Sequence, residues 1–259
     1  MLKAVGLFCA IVIVLFGMST AVAQSKSPTE PMKLSVDFAR FRFDEKEMYV
    51  EFYYTFPQRL LTYVQDGNVV KAGVELTLSI AAKDSIVYAE RMLVPHVSKD
   101  SAVSMMNLIS MSNTKLPMGE YVLKVVAKDQ NNHSRGDSIS IPLSVKPLPT
   151  DKMAMSDIEF ASSVKKGKPG NLFYKNTLEV IPNADGIYTN DQNCYFYSEA
   201  YNLTLGNDMT DLMLKTSVYN TIGKEVLSRE QPRKRAGESM VLVGNVDAGS
   251  LHSGTYTLV

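Results

Sequence analysis

The sequence predicts an all-β fold: two antiparallel β-sandwiches in tandem, the second of them lacking its last strand. Apolar and polar residues alternate with a period of two over several short segments, which is the pattern of half-buried strands. Turn residues separate these segments at short intervals, and no long amphipathic helical pattern lies between them. Several phrases also recur in the same order in both halves of the chain. This organisation is typical of immunoglobulin-like or fibronectin III-like sandwiches.

The first element is a predicted signal peptide over residues 1–23. Lys3 precedes an apolar run over 4–18, and Ala21 and Ala23 supply the small residues of a cleavage site. The run is shorter than the about 20 apolar residues that span a membrane, and no other stretch approaches that length. We therefore expect an exported chain with no transmembrane span in its mature part.

Strands with a clear alternation make up the first unit, residues 30–147. The predicted strands lie at 48–56, 74–80, 86–94, 119–126 and 138–145. One face of the first of these is entirely apolar, and its members are Met48, Val50, Phe52, Tyr54 and Phe56. Residues 101–110 fit either a strand or a helical turn. We expect the apolar face to lie in the core of the unit.

A short linker, residues 148–151, is predicted to join this unit to a second one at 152–259. Pro147 and Pro149 favour an extended backbone there and supply no amide donors, as suits a connection between domains. The second unit also contains a longer stretch, 163–193, between its first two matched strands. That stretch has no counterpart in the first unit.

The two units share phrases that predict the same strand order. The segment that begins at Leu76 matches the one at Leu214, each a strand, a tight turn and a return strand. The phrase LPMGEYVLK, from Leu116, matches LHSGTYTLV, from Leu251. In the first copy a further strand follows this phrase. We expect the second sandwich to be cut before its counterpart of that strand.

Two looser matches support the repeat. Phe38 answers to Phe160, and the strand that begins at Tyr49 answers to a segment that begins at Tyr197. Because several weak matches occur in one order, together they carry more weight than any one of them alone.

Short phrases in both units resemble the N-terminal region of GWxTD domain-containing proteins. They are MSDIEFASS from Met155, FYKNTLEVIPN from Phe173, YFYSEAYNL from Tyr195, VDFARF from Val36 and VEFYY from Val50. The resemblance implies an exported protein of uncharacterised activity, in the periplasm or at the cell surface of a Gram-negative bacterium. The Gly-Trp-x-Thr-Asp motif is absent, since the chain has no Trp, and the family architecture places it downstream of residue 259.

Residues of the common catalytic and metal sites are sparse. His96, His133 and His252 lie far apart beside turn residues, so we interpret them as solvated loop histidines. Cys194 is the only cysteine outside the signal and is expected to be a buried strand thiol, without an internal disulfide. The formal net charge is zero, so the chain as a whole has no electrostatic field that would attract nucleic acid. We predict no catalytic residue, no metal and no cofactor.

Three polar loops invite functional readings that we disfavour. The loop 129–137 carries oxygen ligands and an Arg-Gly-Asp tripeptide, but its spacing is not that of an EF-hand, and a polar hairpin loop explains it. The basic clusters 165–168 and 233–235 contain few charges beside Gly or Pro. We interpret them as solvated turns rather than sites for an acidic partner or lipid headgroups.

Four tyrosines are the candidate contact residues: Tyr49, Tyr53, Tyr195 and Tyr197. On a solvent-facing sheet they would form a stacking stripe for a glycan or an envelope protein. Beneath a second sheet or the neighbouring unit they would be packing residues, which is the alternative that we favour.

The function predicted from these observations is that of an exported, non-catalytic structural or interaction protein of the bacterial cell envelope. Its sandwiches would position a C-terminal domain beyond residue 259. One alternative is a carbohydrate-binding module that uses the tyrosine stripe. Another is a pair of accessory domains of an enzyme whose catalytic part lies beyond residue 259. The expected partner is an envelope protein or a glycan.

Overall fold

The computed structural model describes residues 28–99, 106–205, 211–235 and 237–259. Within these residues all regular structure is β-strand, apart from two single turns of 3-10 helix. The antiparallel sheets confirm the predicted all-β class. The predicted signal peptide and residues 101–105 of the ambiguous segment lie outside the described residues.

The N-terminal unit contains eight described strands in two antiparallel sheets. They are β1 Ser35–Arg42, β2 Glu47–Pro57, β3 Val64–Asp66, β4 Val69–Ala82, β5 Ser85–Ser98, β6 Asn107–Pro117, β7 Gly119–Asp129 and β8 Asn132–Val145. Strands β1-β2-β6 form one sheet, which we call the N-inner sheet. Strands β5-β4-β7-β8, with β3 beside β4, form the N-outer sheet. The ambiguous segment 101–110 therefore enters a strand at Asn107.

The core of the N-terminal unit lies between these two sheets. The apolar face predicted on β2, from Met48 to Phe56, is buried there. It meets the alternating apolar residues of β4, such as Leu78 and Ile80, together with Leu123 from β7. Alternation with period two places one face of each strand in this layer.

The C-terminal unit has nine described strands. They are β9 Ala154–Met155, β10 Glu159–Lys166, β11 Tyr174–Lys175, β12 Leu178–Pro182, β13 Asn193–Tyr201, β14 Leu212–Asn220, β15 Glu225–Arg233, β16 Met240–Asp247 and β17 Tyr256–Leu258. Strands β11-β12-β10-β13-β16, with β9 beside β13, form the C-inner sheet, and β15-β14-β17 form the C-outer sheet. A small core around Leu203 and Leu242 lies between them.

The strand order of the two units is equivalent. Strands β1-β2-β6 correspond to β10-β13-β16, and β5-β4-β7 correspond to β15-β14-β17. Ile80 is paired with Leu123 in the first unit, and Val218 is paired with Leu258 in the second. These are the positions that the two best sequence matches equate. An equivalent of β8 is not among the described strands of the C-terminal unit.

The looser match between Tyr49 and Tyr197 is wrong in register. Phe38 pairs with Phe52 on β2, and its counterpart Phe160 pairs with Phe196 on β13. The residue equivalent to Tyr197 is therefore Tyr53. The alternation of tyrosine along both strands makes several registers look alike in the sequence, and only the neighbouring strand decides between them.

The four sheets stack in the order N-outer, N-inner, C-inner, C-outer, as the three apolar clusters between them show. Each sheet draws all its described strands from one unit. The units therefore meet through the outward faces of their inner sheets. None of the described residues forms a helix of the length and hydropathy required to cross a bilayer. The immunoglobulin-like character of either unit stays a prediction.

Candidate functional site

The four candidate tyrosines lie between the N-inner and C-inner sheets. Tyr53 and Tyr197 are 1% and 0% exposed, and Tyr49 and Tyr195 are half-buried against the same cluster. Phe41 meets Tyr197 edge to face, with ring centroids 5.9 Å apart. Burial raises the pKa of Tyr49 to about 12. Since each unit covers the tyrosines of the other, the rings of Tyr53 and Tyr197 offer no open face for a sugar or a partner.

A buried charge cluster lies among these rings, and we call Lys175, Glu51 and Glu159 the interface triad. The Lys175 ammonium donates to Glu51 Oε2 at 2.5 Å and to the carboxylate of Glu159. The side chains are 14%, 6% and 1% exposed, in that order. Glu51 comes from β2 of the N-terminal unit, whereas Glu159 and Lys175 come from the C-terminal unit. The triad therefore spans the junction.

Aromatic rings complete the surroundings of the Lys175 ammonium. Its nitrogen lies 4.6 Å from the centroid of Tyr197, 4.8 Å from Phe41 and 5.7 Å from Tyr53. The electron-rich faces of such rings attract a cation, most strongly where water is excluded. The hydroxyl of Tyr53 also donates to Glu51 Oε2 at 2.7 Å. The ammonium is thus held by two carboxylates and three rings.

Burial governs the ionisation of the triad. Burial and the nearby charge of Glu51 raise the pKa of Glu159, the Lys175 ammonium and the hydrogen bonds from Lys175 and Tyr53 lower it, and the net result is a pKa of about 7 against an ordinary 4.5. Glu159 Oε1 is buried without a hydrogen-bond partner among the described residues. Two carboxylates thus share one cation in a region with little exposure to solvent. This is the condition under which one carboxylate tends to keep its proton.

Lys175 lies at the junction on a tight hairpin formed by β11 and β12. Strands β11 and β12 are joined by the two residues Asn176 and Thr177, whose φ angles are +45° and +69°. A two-residue hairpin turn of this kind needs positive φ at both positions. The Asn176 amide also donates to the Tyr197 hydroxyl at 2.5 Å and to Glu199 Oε1 at 2.8 Å. The hairpin belongs to the stretch 163–193 that has no counterpart in the first unit.

Arginine side chains of β1 fix the edge of the junction. Arg40 forms a two-pronged ion pair with Asp157, at 2.6 and 3.0 Å. Arg42 donates to Asn202 Oδ1 at 2.6 Å and to the carbonyl of Pro149 in the predicted linker at 3.0 Å. These contacts tie the first unit, the linker and the second unit together.

The remaining polar candidates have structural roles. The buried carboxylate of Asp129 accepts hydrogen bonds from the backbone amides of Thr62, Asn131 and Asn132, so it stabilises two loops. The Arg135 guanidinium of the Arg-Gly-Asp tripeptide points inward and donates to the carbonyls of Pro28 and Leu60. Lys165 of the first basic cluster pairs with Glu179 at 2.7 Å.

Metal and thiol chemistry finds little support in the described part of the chain. No group of three or more His, Cys, Asp or Glu residues there is arranged to hold a metal ion. Cys194 is half-buried, and burial raises the pKa of its thiol, which disfavours the reactive thiolate.

No protein-family model matches the chain, and no curated protein matches it either.

Sequence reasoning missed the interface triad. Glu51 alternates with the apolar residues of β2 and shares a face with Tyr49 and Tyr53, but Glu159 and Lys175 match no motif of a catalytic or metal site. The available signal was indirect: a carboxylate sits among aromatic residues on a β-strand, and the second unit holds an insertion beside the equivalent strand.

Proposed function

We propose that this chain is an exported, non-catalytic structural protein of the bacterial envelope whose two sandwich units act as one rigid spacer. The interface triad carries the proposal. A buried ion pair contributes little net stability, but it penalises every arrangement that buries one charge without the other. The observed docking brings Glu51 onto Lys175, and a shift of one unit against the other would separate them. The triad therefore specifies orientation, which is what a spacer requires.

Export and envelope location rest on the sequence. Residues 1–23 have the composition of a secretory signal, and both units resemble the N-terminal region of GWxTD domain-containing proteins. In that family a further domain follows the region seen here. A rigid pair of sandwiches would hold such a domain at a fixed distance and orientation from whatever the first unit contacts.

Distance measurements between spin labels test the rigidity. Labels at Ser85→Cys on the first unit and Thr221→Cys on the second, with the native cysteines replaced by serine, report the relation of the two units; both sites are exposed. We expect one narrow distance distribution in the native background. Lys175→Met should broaden it, because the two carboxylates lose their shared cation. Lys166→Met, an exposed lysine on β10, is the matched control and should leave the distribution narrow.

A broad distribution in the native background would contradict the rigid spacer. Export is tested separately by fractionation and mass spectrometry, for which we expect a chain that begins at Gln24 in the envelope fraction. An intact chain in the cytosol would overturn that part of the proposal. Turnover at enzyme-like rates in a broad hydrolase and transferase screen would overturn its non-catalytic part.

A further inference from the structure

A polar cavity of about 230 Å³ lies at the rim of the junction, away from the interface triad. Thr55 and Asn107 of the N-terminal unit line one side. Asn183, Gln192 and Asn193, from the end of the inserted stretch and the start of β13, line the other. At about 30 Å³ per water molecule, the volume corresponds to roughly eight waters, enough for one sugar ring.

Thr55, one of the residues that line the cavity, has a buried hydroxyl without a hydrogen-bond partner from the described residues. Thr55 is 1% exposed, and its Oγ1 has no hydrogen-bond partner among the described residues. Buried polar side chains are almost always hydrogen-bonded, so an orphan hydroxyl in a cavity wall calls for a partner that enters the cavity. The hydroxyl both donates and accepts, which matches the hydroxyl of a polyol.

The amides opposite Thr55 are held in place with part of their hydrogen-bonding capacity unused. Gln192 Oε1 accepts from the amide of Thr189 at 2.9 Å. Asn193 Oδ1 accepts from the side chain of Asn245 at 2.8 Å. In both cases the amide nitrogen has no partner within the described part of the chain. Each fixed amide therefore offers donors to a ligand at a small entropic cost.

The cavity wall determines which ligand fits. Asp, Glu, Lys, Arg and His are absent from the described residues that line it, so an ionised ligand would lose its hydration without gaining a counter-charge. Ile109, Ile187 and Pro182 add apolar surface beside the amides and hydroxyls. A wall that combines fixed amides, hydroxyls and an apolar patch suits the hydroxyl edge and the C–H face of a pyranose.

We propose that this cavity binds one neutral sugar ring, either a free monosaccharide or the terminal residue of a glycan. Thr55 bonds one ring hydroxyl, and Gln192 and Asn193 donate to others. The site is independent of the spacer role, and it uses none of the four tyrosines.

Ligand-observed NMR and calorimetric titration of the mature chain test the proposal. The probes are glucose, galactose, mannose and N-acetylglucosamine, with maltotriose and chitotriose for the glycan source and glucuronate as the charged control. We expect saturable binding of at least one neutral sugar and none of glucuronate. A monosaccharide that binds as tightly as its trimer indicates the free sugar, whereas a tighter trimer indicates a glycan end.

Two variants localise the binding. Thr55→Val keeps the shape of the side chain and removes the orphan hydroxyl, so the protein should stay folded while affinity falls about tenfold. Gln192→Ala, at an exposed position, should weaken binding without touching the core. Thr77→Val on β4 is the matched control and should bind like the native chain. Absence of saturable binding by every neutral probe, or unchanged affinity in both Thr55→Val and Gln192→Ala, would overturn the proposal.

Discussion

Folding and protonation are coupled at Glu159. Its pKa is about 7 in the fold and 4.5 ordinarily, with burial as the largest cause. Between these two pH values the folded chain binds more protons at this carboxyl than the unfolded chain does. Linkage then requires the free energy of unfolding to fall as the pH rises from about 4.5 to about 7.

Glu159→Gln should remove this pH dependence, because glutamine imitates the protonated carboxyl. We expect the native chain to lose on the order of 3 kcal/mol of unfolding free energy across that interval relative to the variant. Urea denaturation at several pH values measures the difference. Glu45→Gln, at an exposed turn between β1 and β2, should follow the native curve. Parallel curves for the native chain and Glu159→Gln would show that the carboxyl does not titrate in this range.

At the level of elements, the β11–β12 hairpin stores backbone strain. Thr177 is β-branched, yet its φ is +69°, a region in which a side chain with a Cβ costs roughly 1–2 kcal/mol. Asn176, the other turn residue, tolerates positive φ better. Strain of this kind persists where the surroundings hold it, and here the hairpin is held by Lys175 and Asn176 at the junction.

Thr177→Gly should relieve the strain and raise the free energy of unfolding by about 1 kcal/mol, after the greater flexibility of glycine in the unfolded chain is subtracted. Chemical denaturation measures it. Thr177→Ala keeps the Cβ at positive φ and serves as the control, for which no gain is expected. An equal gain in both variants would mean that the threonine side chain, and not the backbone, is the source of the strain.

Sequence reasoning succeeded where contacts are set within one unit. The match between Leu76 and Leu214, together with the match between Leu116 and Leu251, predicted which strands correspond, and the pairs around Ile80 agree in register. Alternation alone identified the buried face of β2. These features follow from local period and repeat, both of which a sequence displays.

The junction could not be predicted in the same way. Lys175 and Glu51 lie 124 residues apart, and their contact depends on how two complete sandwiches dock. The choice between an exposed tyrosine stripe and packing against the neighbouring unit also depends on that docking. A strand on which a charged residue alternates with aromatic residues fits two structures equally well, an exposed binding surface and a buried cluster. Only the position of the opposing sheet decides between them.

At the scale of the whole molecule, the two sandwiches have unequal cores. The cluster of the N-terminal unit draws buried side chains from β2, β4, β7 and β8. Among the described residues, the cluster between the two sheets of the C-terminal unit has three buried members, Ala200, Leu203 and Leu242. A cavity of about 490 Å³ also opens between the C-inner and C-outer sheets, beside Val218 and Leu258. Lost contacts around such a space weaken a core.

We therefore expect the C-outer sheet to open before the N-outer sheet in the chain of 259 residues. Strand β17 offers three residues for pairing, whereas β7 offers eleven, so fewer ladder hydrogen bonds hold the sheet that borders the cavity. Native-state hydrogen exchange measures this directly, with amides of β14 compared with those of β4. Faster exchange in β14 by at least about tenfold is the expected result. Because the interface triad lies on the inner sheets, Lys175→Met should leave that difference in place, and equal protection of β14 and β4 would contradict the prediction.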